Sequence, residues 1–147
     1  MSANRQASLL LVEDEDLLRS LVADFLRYEG FQVVEACDGP EGVERFFDSG
    51  PFDLVLVDLN LPGFSGVEVC RRIKRGQPDQ RMMVCSAAIL LDHERDLDAL
   101  GVRHFLTKPY HPEDLLAQIA REIGTRDGLA GGGLRLRRPV GLGRPAL

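Results

Sequence analysis

The chain has 147 residues, 44% of them hydrophobic and 28% charged, with a formal net charge of −5. That length and balance suit a single soluble domain with one core. No apolar run approaches the ~20 residues that span a bilayer, and the polar start Met1–Gln6 leads into a strand pattern without a secretory signal.

Charge is unevenly spread. Residues 1–124 hold 13 Lys/Arg against 22 Asp/Glu, a net of −9, and residues 125–147 hold five arginines against Asp127, a net of +4. The acidic body argues against nucleic-acid binding by the domain itself. The second stretch is rich in Gly, Arg and Pro and lacks periodicity, so 125–147 reads as a flexible, solvated tail after a domain spanning 8–124. Cys37, Cys70 and Cys85 are widely spaced with no CxxC pair, as expected of reduced thiols in a cytoplasmic protein, and Cys85 reads as a small core residue.

In chain order, strand and helix patterns alternate. Leu9-Leu10-Leu11-Val12 is a continuous apolar strand ending in Glu13-Asp14. Leu17, Leu18, Leu21, Val22, Phe25 and Leu26 follow the spacing of a one-faced helix, with Gly30 as its C-terminal stop. A short strand, Phe31–Ala36, precedes Asp38-Gly39-Pro40, which starts a helix carrying Val43, Phe46 and Phe47; Ser49-Gly50-Pro51 ends it. Phe52–Asp58 is the third strand, followed by the turn Asn60-Leu61-Pro62-Gly63. Ser65 caps a helix bearing Val67, Val69, Cys70 and Ile73. Arg81–Ser86 is the fourth strand, Leu91–Leu100 an acidic short helix, Val102–Thr107 the fifth strand, and Pro112–Ile123 the last helix.

Five strands alternating with five helices imply an α/β fold, a parallel sheet covered on both faces. The flavodoxin-like, doubly wound (βα)5 order 2-1-3-4-5 suits such a chain, and its ligand lies outside the carboxyl ends of the strands near the switch point. Glu13-Asp14 and Asp58 fall at that point, Ser86 ends the fourth strand, and Lys108 follows the fifth.

Buried charge without partners is costly, so an aspartate ending an apolar strand calls for company. Glu13, Asp14 and Asp58 crowded together raise the pKa of at least one of them. With Lys108 the site sums to a formal charge of about −2, which invites a hard dication; Mg²⁺ suits carboxylate oxygens and needs few protein ligands. Phosphorylation of Asp58 adds further negative charge, which a cation and Lys108 offset, while Ser86 donates to a phosphoryl oxygen and Ala87 leaves room for its entry. Each residue alone has a plainer reading: Glu13–Asp16 as helix-capping acids, Asp58 as a turn residue, Lys108 as a surface lysine. Their joint placement at four strand ends outweighs these. His93, His104 and His111 lack ligand spacing and read as surface residues.

From Leu9 to about Ile123 the chain resembles a response-regulator receiver domain of two-component signalling. The motifs that carry the resemblance are the acidic pair after strand 1, Asp58 followed by Leu-Asn-Leu-Pro-Gly, Ser86-Ala87 and Lys108-Pro109. The resemblance implies that Asp58 is the phosphoacceptor and that Asp14 and Asp58 bind Mg²⁺. Glu13 would then act through water, the Asn60 backbone carbonyl would complete the ligands, and Ser86 and Lys108 would grip the phosphoryl group. It further implies that Phe105 is the aromatic switch and that the Lys108–Pro109 peptide is cis. Glu13 stands where Asp is commoner, and Ser86 where Thr is; both keep the functional atoms. The fourth-helix region departs more.

A phosphohistidine on a sensor histidine kinase or a histidine phosphotransfer protein is the expected donor. The output is a protein target contacted through the fourth helix, fifth strand and fifth helix. With no second globular domain after residue 124, a stand-alone receiver that binds no nucleic acid is expected, a signalling module and not an enzyme. A receiver from the end of a hybrid histidine kinase is an alternative that the starting Met1 opposes only weakly. A haloacid-dehalogenase-like phosphatase, from another class, typically has a second Asp two residues after the first, where this chain has Asn60. A flavodoxin proper lacks support, because Glu13–Asp16 would repel a phosphate.

Overall fold

The structure, a computed structural model, describes residues 6–87 and 91–124. The expected tail, 125–147, lies outside the described residues. The elements alternate in chain order: β1 (Ser8–Val12), α1 (Asp16–Tyr28), β2 (Gln32–Ala36), α2 (Gly39–Ser49), β3 (Leu54–Asp58), α3 (Gly66–Gly76), β4 (Met82–Ser86), α4 (Leu91–Ala99), β5 (Phe105–Thr107) and α5 (Pro112–Ile119). All strand pairs are parallel, in the order β2-β1-β3-β4-β5. That is the expected doubly wound order.

The absence of hydrophobic–polar alternation in the central strands follows from burial on both faces. On one face Leu9, Leu11, Leu54, Leu56, Met83 and Cys85 pack with Val22 and Leu26 of α1 and Leu115, Leu116 and Ile119 of α5. On the other, Leu10, Val12, Val55, Val57, Met82 and Val84 pack with Phe46 of α2 and Val69, Cys70 and Ile73 of α3. Each fully buried Leu or Val contributes about 1.5–3 kcal/mol relative to exposure, so adjacent strand positions anchor opposite layers and the register cannot slip by one.

The helix boundaries have local causes. The Asp38 carboxylate accepts from Glu41 N and Ser65 Oγ from Glu68 N, so both caps occupy the expected positions. Gly30 ends the turn after α1 with φ +104°. The apolar stripe of α1 is wider than the groove that receives it: Leu17 is 73% and Leu21 48% exposed, while Val22 and Leu26 are buried.

The third strand starts at Leu54, two residues later than expected, and two elements fall further short of their patterns. Strand 5 begins at Phe105 and not Val102, because Gly101 (φ +81°) turns the chain out of α4 and Val102 N donates to Leu97 O, plugging Val102 into the core. As an edge strand, β5 then pairs with β4 over three residues. The last helix is α-helical only to Ile119; Ala120–Gly124 forms a π-helical turn. The wider turn keeps Ile123 buried and brings Glu122 Oε2 within 2.5 Å of His104 Nε2.

Candidate functional site

The parallel register itself gathers the site. Val12 pairs with Ala36 and Val57, Asp58 with Cys85, and Ser86 with Thr107, so the ends of β1, β3, β4 and β5 lie side by side. Glu13 N donates to Ala36 O, Leu59 N to Cys85 O and Lys108 N to Ser86 O, which carries the sheet's hydrogen bonding one step past the strands. The Lys108–Pro109 peptide is cis, as expected.

Lys108 is the hub. Its Nζ donates to Glu13 Oε1 at 2.7 Å and to Asp58 Oδ2 at 3.0 Å. Glu13 is 4% and Asp58 6% exposed, and these carboxylates are the ones the ammonium holds. Their other oxygens are also engaged: Glu15 N donates to Glu13 Oε2 and Asn60 N to Asp58 Oδ1. Burial pushes the Glu13 carboxyl up, Asp58 adds to the effect, and the bonds from Lys108 and Glu15 only partly offset it. For Lys108, burial pushes down, but the hydrogen bonds and charges of Glu13 and Asp58 together outweigh it and hold the ammonium above its ordinary pKa. The pKa of one of the crowded acids is thus raised, but chiefly by burial, with the neighbouring Asp58 charge a smaller contributor.

Asp14 is exposed at the rim, and one carboxylate oxygen from each of Glu13, Asp14 and Asp58 lies within 4.8 Å of the others. Hard oxygen donors at this spacing, two buried and one facing solvent, fit a Mg²⁺ ion that keeps part of its water shell. Ser86 is buried at the end of β4 beside exposed Ala87, and Phe105 is 37% exposed on the flank of β5. All seven candidate residues, Glu13, Asp14, Asp58, Asn60, Ser86, Phe105 and Lys108, therefore belong to this end of the sheet or its β5 flank.

Two residues outside that set shape the site. Gly66 N donates to Leu59 O, and a Cβ on Gly66 would meet Asp58 O at 2.4 Å and Leu59 Cα at 2.8 Å, so α3 can lie against the Asp58 backbone only without a side chain there. A glycine directly after the Ser65 cap was the available sequence signal. Arg19 Nη1 donates to Glu13 O at 2.9 Å, a contact invisible to linear spacing because the guanidinium reaches back over the helix start.

Residues 9–120 match the response regulator receiver domain family. The sensory transduction protein RegX3 of Mycolicibacterium smegmatis is 39% identical over 112 residues, 76% of this chain and 48% of that protein. The transcriptional regulatory protein CseB of Streptomyces coelicolor is 38% identical over 130 residues, 88% of this chain and 54% of that one. Among solved structures, the response regulator protein TrrA of Thermotoga maritima, in complex with Mg²⁺ and BeF, is 28% identical with a TM-score of 0.70, covering 80% of this chain and 99% of that one. The chain spans about half the length of the curated relatives it matches. Their regulator names lend no support to the expectations of stand-alone action and of no nucleic-acid role. Among the described residues no helix is long and apolar enough to cross a membrane. With the fold, the acid cluster and the match in agreement over the same residues, the chain belongs to the response regulator receiver domain family and is a signalling module of two-component systems.

Proposed function

We propose that Asp58 is the phosphoacceptor of a cytoplasmic phosphorelay, charged by a phosphohistidine on a sensor histidine kinase or a histidine phosphotransfer protein. One observation carries the reading: a buried aspartate whose oxygen sits 3.0 Å from a lysine ammonium, inside a triad of carboxylate oxygens within 4.8 Å. An Asp58 oxygen attacks phosphorus, the P–N bond breaks, and the imidazole nitrogen leaves with the bonding pair while the new P–O bond forms. Asp14 and Asp58 would hold Mg²⁺ directly, with the Asn60 carbonyl as a further protein ligand and Glu13 acting through water. When bound, Mg²⁺ supplies charge neutralisation for the phosphoryl oxygens. TrrA, a similar fold crystallised with Mg²⁺ and BeF, supports the reading of a Mg²⁺-dependent site.

The chain's own residues do the rest. Lys108 exchanges part of its grip on Asp58 for a phosphoryl oxygen, which offsets the charge gained on phosphorylation. Ser86 donates its hydroxyl to another oxygen, with Ala87 leaving the approach open. As Ser86 moves toward the phosphoryl group it vacates space for the Phe105 ring, which starts partly exposed. The α4-β5-α5 face then repacks and presents itself to the downstream target. Phe105 has no hydroxyl, so packing alone holds its inward rotamer. Residues 8–124 are the receiver unit, and the relatives' names make a transcriptional output the first to test.

The deciding experiment is incubation with acetyl phosphate or beryllofluoride, with and without Mg²⁺, on wild type and Asp58→Asn. Modification of the wild type alone, and only with metal, is the expected result. Modification of Asp58→Asn to the same extent refutes the assignment, and turnover of diverse phosphate esters supports a phosphatase instead.

A further inference from the structure

We infer that Arg19 is a positioning residue for Mg²⁺ binding at the β1–α1 turn, acting through the Glu13–Asp14 peptide. The inference rests on the metal reading proposed for Glu13, Asp14 and Asp58. Arg19 lies in α1, largely buried, and its three guanidinium nitrogens reach three different places. Nε donates to Glu35 Oε1 on β2 at 3.3 Å, Nη2 to Asp16 Oδ1 at 2.8 Å, and Nη1 to Glu13 O at 2.9 Å. Glu35 is held in turn by Arg27 Nη1 at 3.1 Å, so the guanidinium is braced against both a strand and a helix.

The geometric consequence follows from peptide planarity. The carbonyl of Glu13 and the N–H of Asp14 belong to one rigid unit, and Glu13 N is already fixed on Ala36 O. Gripping Glu13 O therefore sets the plane from which the Asp14 side chain leaves. Asp14 is the exposed member of the triad, the one that core packing does not orient. The Glu13 carboxylate is clamped at both oxygens, whereas Asp14 takes its direction from its backbone.

Charge points the other way, and that separates the two explanations. Arg19 and Arg27 face Asp16, Asp24 and Glu35, so the local formal charge is about −1 even with both arginines in place. If Arg19 acted as a charge, deleting a cation beside an acid cluster would tighten binding of a dication. If it acts by position, deletion loosens binding, and lysine cannot substitute, because one ammonium cannot reproduce a three-pronged planar fork.

The test is calorimetric titration of Mg²⁺ into wild type, Arg19→Ala and Arg19→Lys, with circular dichroism to confirm folding. Supporting residues around metal ligands commonly govern affinity by 10–100-fold; the expected result is an Mg²⁺ dissociation constant raised about tenfold in both variants. Unchanged or tighter binding in folded Arg19→Ala overturns the inference while leaving the metal site intact. If Arg19→Ala does not fold, Arg19→Lys decides: wild-type affinity there overturns it. A wild-type chain that takes up no Mg²⁺ overturns the metal reading and this inference with it.

Discussion

Removing the Lys108 ammonium tests the electrostatic logic of the site directly. Lys108→Met keeps an unbranched apolar stem and deletes the charge lying 2.7 Å from Glu13 Oε1 and 3.0 Å from Asp58 Oδ2. The two buried carboxylates then face one another with oxygens within 4.8 Å and no cation between them. Two unit charges at that distance repel by about 3.5 kcal/mol at an effective dielectric of ~20. The net effect is smaller than this repulsion, because Asp14 opens the cluster to water and because Glu13 can take up a proton. A net loss of about 2 kcal/mol is expected near pH 7, lowering Tm by roughly 8 °C for a domain of this size.

The sign with pH follows from Glu13. Burial already holds its carboxyl above the ordinary 4.5, so the folded chain binds that proton more tightly than the unfolded chain. Stability from this group is fully present below 4.5 and is lost as pH rises through the folded value. Losing Lys108 pushes Glu13 higher still, so the deficit of Lys108→Met should shrink on acidification toward about pH 5. Millimolar Mg²⁺ should shrink it too, by supplying the missing cation. Thermal unfolding followed by circular dichroism, at both pH values and with and without Mg²⁺, reads all three effects. A Tm equal to wild type refutes the reasoning, as does a deficit that neither acid nor Mg²⁺ alters.

Three further outcomes follow from the same structure. Gly66→Ala places a methyl 2.4 Å from Asp58 O, so the start of α3 must shift; a loss of about 1–3 kcal/mol in denaturant unfolding is expected, and no loss would mean the helix tolerates the displacement. Ser86→Ala should leave Mg²⁺ affinity near wild type but weaken Mg²⁺-dependent beryllofluoride binding about tenfold, one hydrogen bond to a charged group, as measured by fluorine NMR titration. Native alkylation should stop at one of the three cysteines: Cys37 is exposed, whereas burial pushes Cys70 and Cys85 up to about 12. Cys37 itself should react more slowly than a free thiol, because its bond with Glu41 raises its pKa; mass spectrometry of the time course checks both statements.

The legible parts of the chain were those where period and burial agree. The runs Leu9–Val12 and Leu54–Val57 are apolar on successive residues because both faces of the sheet are covered, so their identity as central strands, and the odd placement of Asp58 directly after the second, could be read directly. The caps at Asp38 and Ser65 were equally readable, being local hydrogen bonds between near neighbours. What could not be read depends on distant partners. The fifth strand's pattern begins at Val102, yet only β4 decides how much of it pairs, and Val102 serves the core from outside the sheet. The π-helical turn after Ile119 leaves the apolar positions where an α-helix would put them, so nothing in the residue pattern announces it. Arg19 looked like any polar residue of an amphipathic helix, because Glu35 meets it only through the crossover and the Glu13 carbonyl only through the fold of the β1–α1 turn.

These failures share a cause with the site's design. Glu13, Asp58, Ser86 and Lys108 sit at or next to strand termini, where the ladder continues one bond beyond the last paired residue and fixes their backbone. Their positions are therefore consequences of sheet register, which long apolar runs encode strongly. Asp14 has no strand to hold it and lies in the turn between β1 and α1. A divalent ion needs its ligands placed closely, so the chain must orient that one carboxylate by other means. The fork of Arg19, braced by Glu35 and closing on the Glu13 carbonyl, is the contact available to do so. Sheet register thus secures the residues proposed to grip the phosphoryl group, and the inferred Arg19 clamp would orient the exposed carboxylate proposed as a metal ligand. Mg²⁺ affinity should accordingly be more sensitive to α1 substitutions than the geometry around Asp58 is.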